Sequence, residues 1–210
     1  MKSSLNKPIA LIGYSGHAFV AADIFSSMGY PAAAYCDAEE KSVNPFLLKY
    51  LGNDTAAATV SLLKDYHYFI AIGDNSIRRK IFDRLSNELG LPVNAIHSSA
   101  TIAASAEFGK GIFVAAKVVI NPLTKIGNGV ICNTSCSIDH ECIISDFAHI
   151  APGAVLCGNV KIGENSFVGA NAVIRQGITI GKNVMIGAGS VVVKDIADNA
   201  TVVGNPLKNL

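Results

Sequence analysis

The 210-residue chain has no tryptophan, only three methionines, and a charged fraction of 16%. Its 17 basic residues nearly balance its 16 acidic ones, for a net charge of +1. That balance offers no electrostatic footprint for nucleic acid or for an anionic membrane surface. No apolar run approaches the length of a membrane span. Residues 1–8 lack the hydrophobic core of a secretory leader. Five cysteines, an odd number, make no disulfide framework. The expectation is a cytoplasmic protein whose thiols lie buried in a reducing compartment.

What the chain has in excess is aliphatic side chains at a fixed spacing. From Ile102 to Val192 every sixth residue falls in one register, and 14 of those 16 positions are Ile, Leu or Val. Phe108 and Cys132 are the exceptions. Glycine often follows the aliphatic (Gly109, Gly127, Gly163, Gly169, Gly181, Gly187). Four residues after it the side chain is mostly small or β-branched (Val118, Thr124, Cys136, Cys142, Ala148, Ala154). A period of six fits neither a helix nor an alternating strand. It fits a parallel β-helix of hexapeptide repeats, in which three hexads close one triangular coil and the sixth-residue aliphatic always points inward. Gly and Asn are expected at the corners, where φ can be positive. The cysteines 132, 136 and 142 follow the repeat phases, so packing explains their spacing better than a zinc site does.

Residues 1–97 read differently. Ile9-Ala10-Leu11-Ile12, the segment 32–36, the segment 68–72 and the short segment 93–96 read as buried strands. Apolar helical patterns lie between them, one ending at Gly29 and one over about 76–89 with Ile77, Ile81 and Leu85 on one face. Strand–helix–strand order implies a parallel α/β sheet with right-handed crossovers. Ligands bind such sheets beyond the C-terminal strand ends. Three clusters fall there: Gly13-Tyr14-Ser15-Gly16-His17, Asp37, and Gly73-Asp74-Asn75. The helix N-terminus after Gly13 and Gly16 favours a phosphate. Asp37, 24 residues after Gly13, stands about where a dinucleotide fold places its ribose-binding acid. The glycine fingerprint is incomplete and only half of a dinucleotide fold is present. A mononucleotide or nucleotide-sugar therefore suits the unit better than NAD, and turn-shaping glycines are the alternative.

Two histidines lie inside the repeat, His140 and His149. One coil is 18 residues, so Gly158 stacks on His140, and Ala188 on Ala170. A histidine against a glycine places a base beside an accessible backbone N–H, and Glu141 is positioned to orient the imidazole. By phase, His140 and His149 are expected on neighbouring faces near one corner.

The motifs Gly13-Tyr14-Ser15-Gly16-His17, Ile70-Ala71-Ile72-Gly73, Ser137-Ile138-Asp139-His140-Glu141-Cys142 and Gly158-Asn159-Val160-Lys161-Ile162-Gly163 resemble the bacterial sugar acetyltransferases of the NeuD/PglD type. The terminal Val203-Gly204-Asn205-Pro206-Leu207-Lys208 is close to the ending usual in hexapeptide acyltransferases, with Leu207 in place of Ala. Tyr14 replaces the small residue the family usually carries. The resemblance implies a Rossmann-like nucleotide-sugar-binding domain over 1–97 and a left-handed β-helix over 98–210. It implies a homotrimer that transfers acetyl from acetyl-CoA to the amine of a nucleotide-linked amino-dideoxy sugar, with UDP the favoured nucleotide, and needs no metal. It makes His140 the general base, Glu141 its partner and the Gly158 N–H the oxyanion donor. His149, Ala170 and Ala188 would line the acetyl-CoA channel. Ser15, Gly16, His17, Asp37, Gly73 and Asn75 would hold the nucleotide sugar.

A sugar O-acetyltransferase of the sialic-acid branch would share every motif. A β-helix carbonic anhydrase needs three zinc histidines, and the repeat holds two. A non-catalytic assembly module would have no use for the His140–Glu141 pair.

Overall fold

The computed structural model describes residues 5–205 and 208–209. Residues 1–4, which carry the start of the expected leaderless N-terminus, and Pro206 and Leu207 of the terminal motif lie outside the described residues. The chain divides into two compact units, 1–98 and 99–210.

The first unit is a four-stranded parallel sheet in the order β3-β2-β1-β4, formed by β1 (Ile9–Ile12), β2 (Ala32–Cys36), β3 (Lys49–Tyr50) and β4 (His67–Ile70). Helices α1 (Gly16–Ser27), α2 (Ala57–Leu63) and α3 (Asn75–Leu89) connect and cover it, and β5 (Ala95–Ile96) ends the unit. β1 is buried at every position, as its uninterrupted apolar sequence requires of a central parallel strand. Strand β3 and helix α2 were not expected, since both are short and weakly patterned. Helix α3 is rotated from its expected face: Arg78, Phe82 and Leu85 are buried, while Ile77 is 49% exposed. The arginine takes the inner position because acceptors await it there. Its guanidinium donates to the carbonyls of Ile72 and Gly73 at 3.2 and 3.0 Å and to Asn75 Oδ1 at 2.8 Å.

The second unit is a parallel β-helix. Its two-residue strands stack with an 18-residue offset, as in Lys125 on Ile143 and Ser137 on Val155. Three sheets result, numbered in chain order and parallel except where Lys208–Asn209 pairs antiparallel with Thr201–Val203 at the end of sheet 3. Sheet 1 carries Thr101, Val119, Ser137, Val155, Val173 and Val191 on its outer side. Sheet 2 carries Glu107, Lys125, Ile143, Lys161 and Thr179. Sheet 3 carries Phe113, Ile131, His149, Phe167 and Met185. The sixth-residue row is buried at every position from 114 to 192, and only Ile102 and Phe108, in the first coil, are partly exposed.

The corners differ in one respect from expectation. The glycines that follow the aliphatics do not have positive φ. They are small because the next coil leaves no room: a β-carbon on Gly163 would stand 2.3 Å from the Gly181 carbonyl oxygen. Positive φ falls three residues after the aliphatic, at Asn159, Asn165, Asn171 and Asn183 and at Gly129, Gly153, Gly177 and Gly189. Asparagine tolerates the left-handed region better than most side chains, which explains its recurrence there.

Candidate active site

His140 sits at the corner leading from sheet 1 into sheet 2. Its backbone is fixed by the coil beneath. Asp139 Oδ1 accepts the His140 N–H at 2.8 Å and a bond from Asn121 Nδ2 at 2.8 Å, while Thr124 Oγ1 donates to the Asp139 carbonyl at 2.9 Å. The Asn121 amide, then the His140 N–H, hold the Asp139 carboxyl below its ordinary pKa, so it stays an acceptor. On the side of the coil above, the Asn159 N–H donates to the His140 carbonyl at 2.8 Å.

Glu141 occupies the positive-φ corner position, at φ +61°, that Asn or Gly fills at most other corners and Lys117, Leu123, Ser135 and Phe147 fill at the rest. Side chains at consecutive positions usually diverge. Here the left-handed backbone accompanies a Glu141 Oε2 to His140 Nδ1 distance of 3.0 Å. An ionised carboxylate can only accept, so Nδ1 carries the proton, and in the neutral imidazole Nε2 then keeps its lone pair. Both side chains are about half exposed, so the pair orients the ring more than it stabilises the fold.

Gly158 lies directly against that imidazole: a β-carbon there would stand 2.5 Å from Cε1 and 2.6 Å from Nε2 of His140. At this corner position the amide stands outside the coil-to-coil ladder and turns to side-chain oxygens, as at Lys110, Asn128, His140 and Lys182. The residue before Gly158 is Cys157, which has no oxygen to offer where Asp139 caps His140. An acceptor nitrogen and the Gly158 backbone lie against one another at one corner, and deprotonation of a nucleophile and stabilisation of an oxyanion require an acceptor and a donor so paired.

His149 is not at that corner. It lies in sheet 3, with the whole of sheet 2 between it and His140, so the expectation of one shared corner fails within a single copy. The phase argument counted distance from the inward aliphatic and ignored which side of the triangle each hexad forms. His149 is buried, with Asn133 Nδ2 3.2 Å from its Nε2 and the Phe167 ring edge-on at 4.9 Å. Ala170 and Ala188 stack at the corner between sheets 3 and 1, where the Gly189 N–H donates to the Ala170 carbonyl at 2.8 Å. A groove of about 490 Å³ runs along sheet 2 between Glu107, Lys125, Asp146 and Glu164 and includes neither histidine. Among the described residues no three His, Cys, Asp or Glu side chains converge.

The nucleotide candidates do gather at one edge of the first unit. The Gly13 N–H donates to the Cys36 carbonyl at 2.8 Å, and the Ala71 N–H to the Ile12 carbonyl at 2.8 Å, so the turns after β2, β1 and β4 lie side by side. Gly13 has φ +87° and its β-carbon would meet Ile72, so it shapes the turn. Gly16 and Gly73 face open space. Ser15 is the N-cap of α1 and makes no side-chain cap bond. Asp37 Oδ2 accepts the Tyr14 N–H at 2.9 Å, and Oδ1 accepts the Ala38 N–H at 2.7 Å and pairs with Lys41 at 3.0 Å. Burial works to raise the Asp37 pKa, but these donors outweigh it and the net shift is downward. Burial, reinforced by Arg78, pushes His17 down to about 4, so it is neutral. Arg78 was missed because an arginine within a helical pattern reads as surface.

Tyr14 is buried rather than facing the turn's open side. It stacks on Tyr35 at 4.2 Å and donates from its hydroxyl to Asn44 Oδ1 at 2.7 Å. Asn44 in turn closes the 44–48 turn through Leu48.

Residues 8–85 match the PglD N-terminal domain family, and residues 141–176 and 159–194 match the bacterial transferase hexapeptide family. Among solved structures, the chain is similar to the acetyltransferase domain of PglB from Neisseria gonorrhoeae FA1090 in complex with acetyl coenzyme A. The two are 37% identical over 98% of this chain and 100% of that one, with TM-score 0.89. It is also similar to perosamine N-acetyltransferase from Caulobacter crescentus, in a histidine-to-asparagine variant bound to CoA and GDP-perosamine. That pair is 34% identical over 99% of each chain, with TM-score 0.92. The chain spans about half the length of the curated relatives it matches. One is the UDP-N-acetylbacillosamine N-acetyltransferase of Bacillus subtilis (strain 168), 32% identical over 112 residues, which are 52% of each chain. The hexapeptide repeats and these neighbours fix the second unit as a left-handed β-helix.

Proposed function

The chain belongs to the PglD-type family of hexapeptide sugar N-acetyltransferases, and on that premise we propose that it moves acetyl from acetyl-CoA to the amino group of a nucleotide-linked amino sugar. The observation that carries this reading is the corner where His140 Nε2 lies against Gly158 with Nδ1 held by Glu141.

A sugar amine is largely protonated at neutral pH, and only its neutral form, left when the ammonium proton has gone to solvent, is a nucleophile. In the proposed step the nitrogen of that neutral amine bonds to the thioester carbon while one of its N–H protons passes to His140 Nε2. The Gly158 N–H receives the developing oxyanion. Collapse of the tetrahedral intermediate re-forms the carbonyl and breaks the C–S bond, and His140 returns the proton to the departing thiolate. Support also comes from the Caulobacter relative, crystallised with both ligands after one histidine was replaced.

The first unit is the proposed nucleotide holder. Ser15, Gly16 and His17 receive the phosphates, Asp37 the nucleoside, and Gly73 and Asn75 complete the edge. UDP is the proposed carrier, and relatives named for GDP- and UDP-linked sugars make both worth testing. His149, Ala170 and Ala188 are the proposed wall of the acetyl-CoA channel. Because they stand away from His140 in one copy, a homotrimer is proposed in which a neighbouring copy supplies them. The outer row of sheet 1, Val119, Val155, Val173 and Val191, offers the apolar surface for such packing. No helix among the described residues is long and apolar enough to cross a membrane.

The test is thiol release from acetyl-CoA over a panel of UDP- and GDP-linked amino sugars, with the product identified by mass. N-acetylated product from one member is expected. Acetyl ester on a hydroxyl would move the reading to O-acetylation, and no thiol release from any member would remove it. His140→Ala should lower kcat by about 10²–10⁴ with acetyl-CoA binding retained. Light scattering should give three copies, and a monomer at micromolar concentration would remove the trimer.

A further inference from the structure

Pro122 and Leu123 stand 18 residues before His140 and Glu141, so they lie one coil below them at the same corner. The Glu141 N–H donates to the Pro122 carbonyl at 3.0 Å, which joins the two coils there. The Leu123 N–H donates to Ser105 Oγ at 3.1 Å, one coil lower still. Both Pro122 and Leu123 are exposed, Leu123 at 59%.

Leucine is a poor structural choice for that corner. Its φ is +63°, a left-handed conformation that its β-carbon disfavours. Its exposure leaves little burial to offset the strain. The other corners that carry neither Gly nor Asn have a visible reason for their residue. Phe147 is buried, Lys117 and Ser135 present polar groups to water, and Glu141 holds the His140 ring. Among the described residues of the β-helix, Leu123 is the one large apolar side chain that is both exposed and at positive φ.

Its place beside the reacting groups gives it a use. Gly158 lies on the C-terminal side of His140, and Leu123 on the N-terminal side. In the acetyl-transfer step the acetyl oxygen is drawn to the Gly158 N–H. The attacking nitrogen, and the sugar ring behind it, are then left the N-terminal side. Successive coils are about 4.8 Å apart, so a sugar whose amine meets Nε2 lies within reach of the Leu123 side chain. One coil beyond Gly158 the same corner carries exposed Arg175 and Gln176, a polar surface that suits the amides of a coenzyme arm. The two sides of the imidazole thus differ, one polar and one apolar.

We propose that Leu123 is a specificity-determining residue whose exposed side chain, beside Pro122, meets a methyl group on the acceptor sugar. A pyranose is covered by hydroxyls, and the compact apolar group it can offer is a methyl at C5 in place of hydroxymethyl. A hydroxymethyl set against leucine would lose water and find no hydrogen-bond partner. The proposal rests on the acetyl-transfer reading above.

The test is kcat/KM for matched nucleotide-linked amino sugars that differ only at C5, methyl against hydroxymethyl, each made with UDP and with GDP. Wild type should favour the methyl sugar by about 10-fold, the low end for one small group in an apolar site. Leu123→Asn suits the left-handed corner, so its Tm should equal or exceed that of wild type, while the preference falls to within about 3-fold. Leu123→Met, apolar and close in volume, should keep the preference. The KM for acetyl-CoA and the oligomer seen by light scattering should not change in either variant. Equal losses on both sugars, an unchanged preference in Leu123→Asn, or a change of oligomer would overturn the proposal. So would a wild type that acetylates both sugars equally well. No thiol release by wild type with either sugar would instead remove the acetyl-transfer reading, and this proposal with it.

Discussion

The imidazole of His140 fills the space that a β-carbon on residue 158 would need, 2.5 Å from Cε1 and 2.6 Å from Nε2. Glycine is required there by the ring and not by the backbone, because Gly158 is not among the positive-φ glycines. Gly158→Ala should therefore fold normally and displace the imidazole. A displacement of about 1 Å at a reacting group costs on the order of 10²-fold in rate. The expected result is a kcat lower by that order, an unchanged Tm, and no further loss when Gly158→Ala is added to His140→Ala. Additive losses in that double-mutant cycle would show that Gly158 acts independently of the ring.

Glu141 pays for its position. A residue other than Gly, Asn or Asp in the left-handed region costs about 1–2 kcal/mol; of the equivalent corners, Asn159, Asn165 and Asn171 avoid that cost while Lys117, Leu123, Ser135 and Phe147 bear it too. Glu141→Asn should stabilise the fold, raising Tm by about 2–4 °C per kcal/mol recovered in a chain of this size, while kcat falls because the carboxylate no longer reaches Nδ1. A variant that loses stability along with activity would place Glu141 among ordinary structural residues.

Much of this was legible in the sequence because a solenoid repeats one decision. Ile138 or Leu156 must point inward for the same reason as every other residue in its row, so the register carries coil size and stacking, and from these Gly158 over His140. Three things were not legible. The face of α3 turned on carbonyl acceptors at the end of β4, which a pattern of Ile77 and Ile81 cannot reveal. The separation of His140 from His149 depends on the side of the triangle each hexad forms. Tyr14 read as a departure at the nucleotide turn, yet its ring belongs to the core under the 44–48 turn.

His17 sets an acid limit on stability. Its folded pKa, about 4, lies below the ordinary value of 6.5 through burial first and Arg78 second. Above pH 6.5 neither state is charged and the site costs nothing. Between 6.5 and 4 the unfolded chain binds a proton that the folded chain refuses, so stability falls as pH falls. The full loss is on the order of 3 kcal/mol. Thermal melts from pH 7 to pH 4 should show Tm declining over that window in the wild type and a shallower decline in His17→Gln. Parallel curves would mean that His17 titrates normally.

Tyr14→Phe keeps the stack on Tyr35 and removes only the 2.7 Å bond to Asn44. The expected loss is about 1 kcal/mol, read as a Tm lower by about 2–4 °C. Proteolysis should become faster within residues 38–48, the segment that Asn44 closes. An unchanged digestion pattern would show that the turn holds without the tyrosine.

Asp37 has little capacity left, and that limits how it can serve a nucleotide. A carboxylate offers about four acceptor sites. Three are occupied: the Tyr14 N–H at Oδ2, and the Ala38 N–H and Lys41 at Oδ1. The remaining site is on Oδ2, beside the turn that leads into α1. A hydroxyl of the nucleoside can donate there without displacing a protein bond. Asp37→Ala removes that acceptor and the latch on Tyr14 together. The KM for the nucleotide sugar should rise by about 10- to 100-fold, the range for a hydrogen bond to a charged group. Asp37→Asn should be nearly as damaging, because its NH₂ would face either the Tyr14 or the Ala38 N–H. The KM for acetyl-CoA should stay within about twofold of wild type, since the coenzyme is assigned to the other unit and a twofold change is only about 0.4 kcal/mol. Loss of acetyl-CoA affinity in either variant, with the nucleotide sugar unaffected, would mean that the two ligands have been assigned to the wrong units.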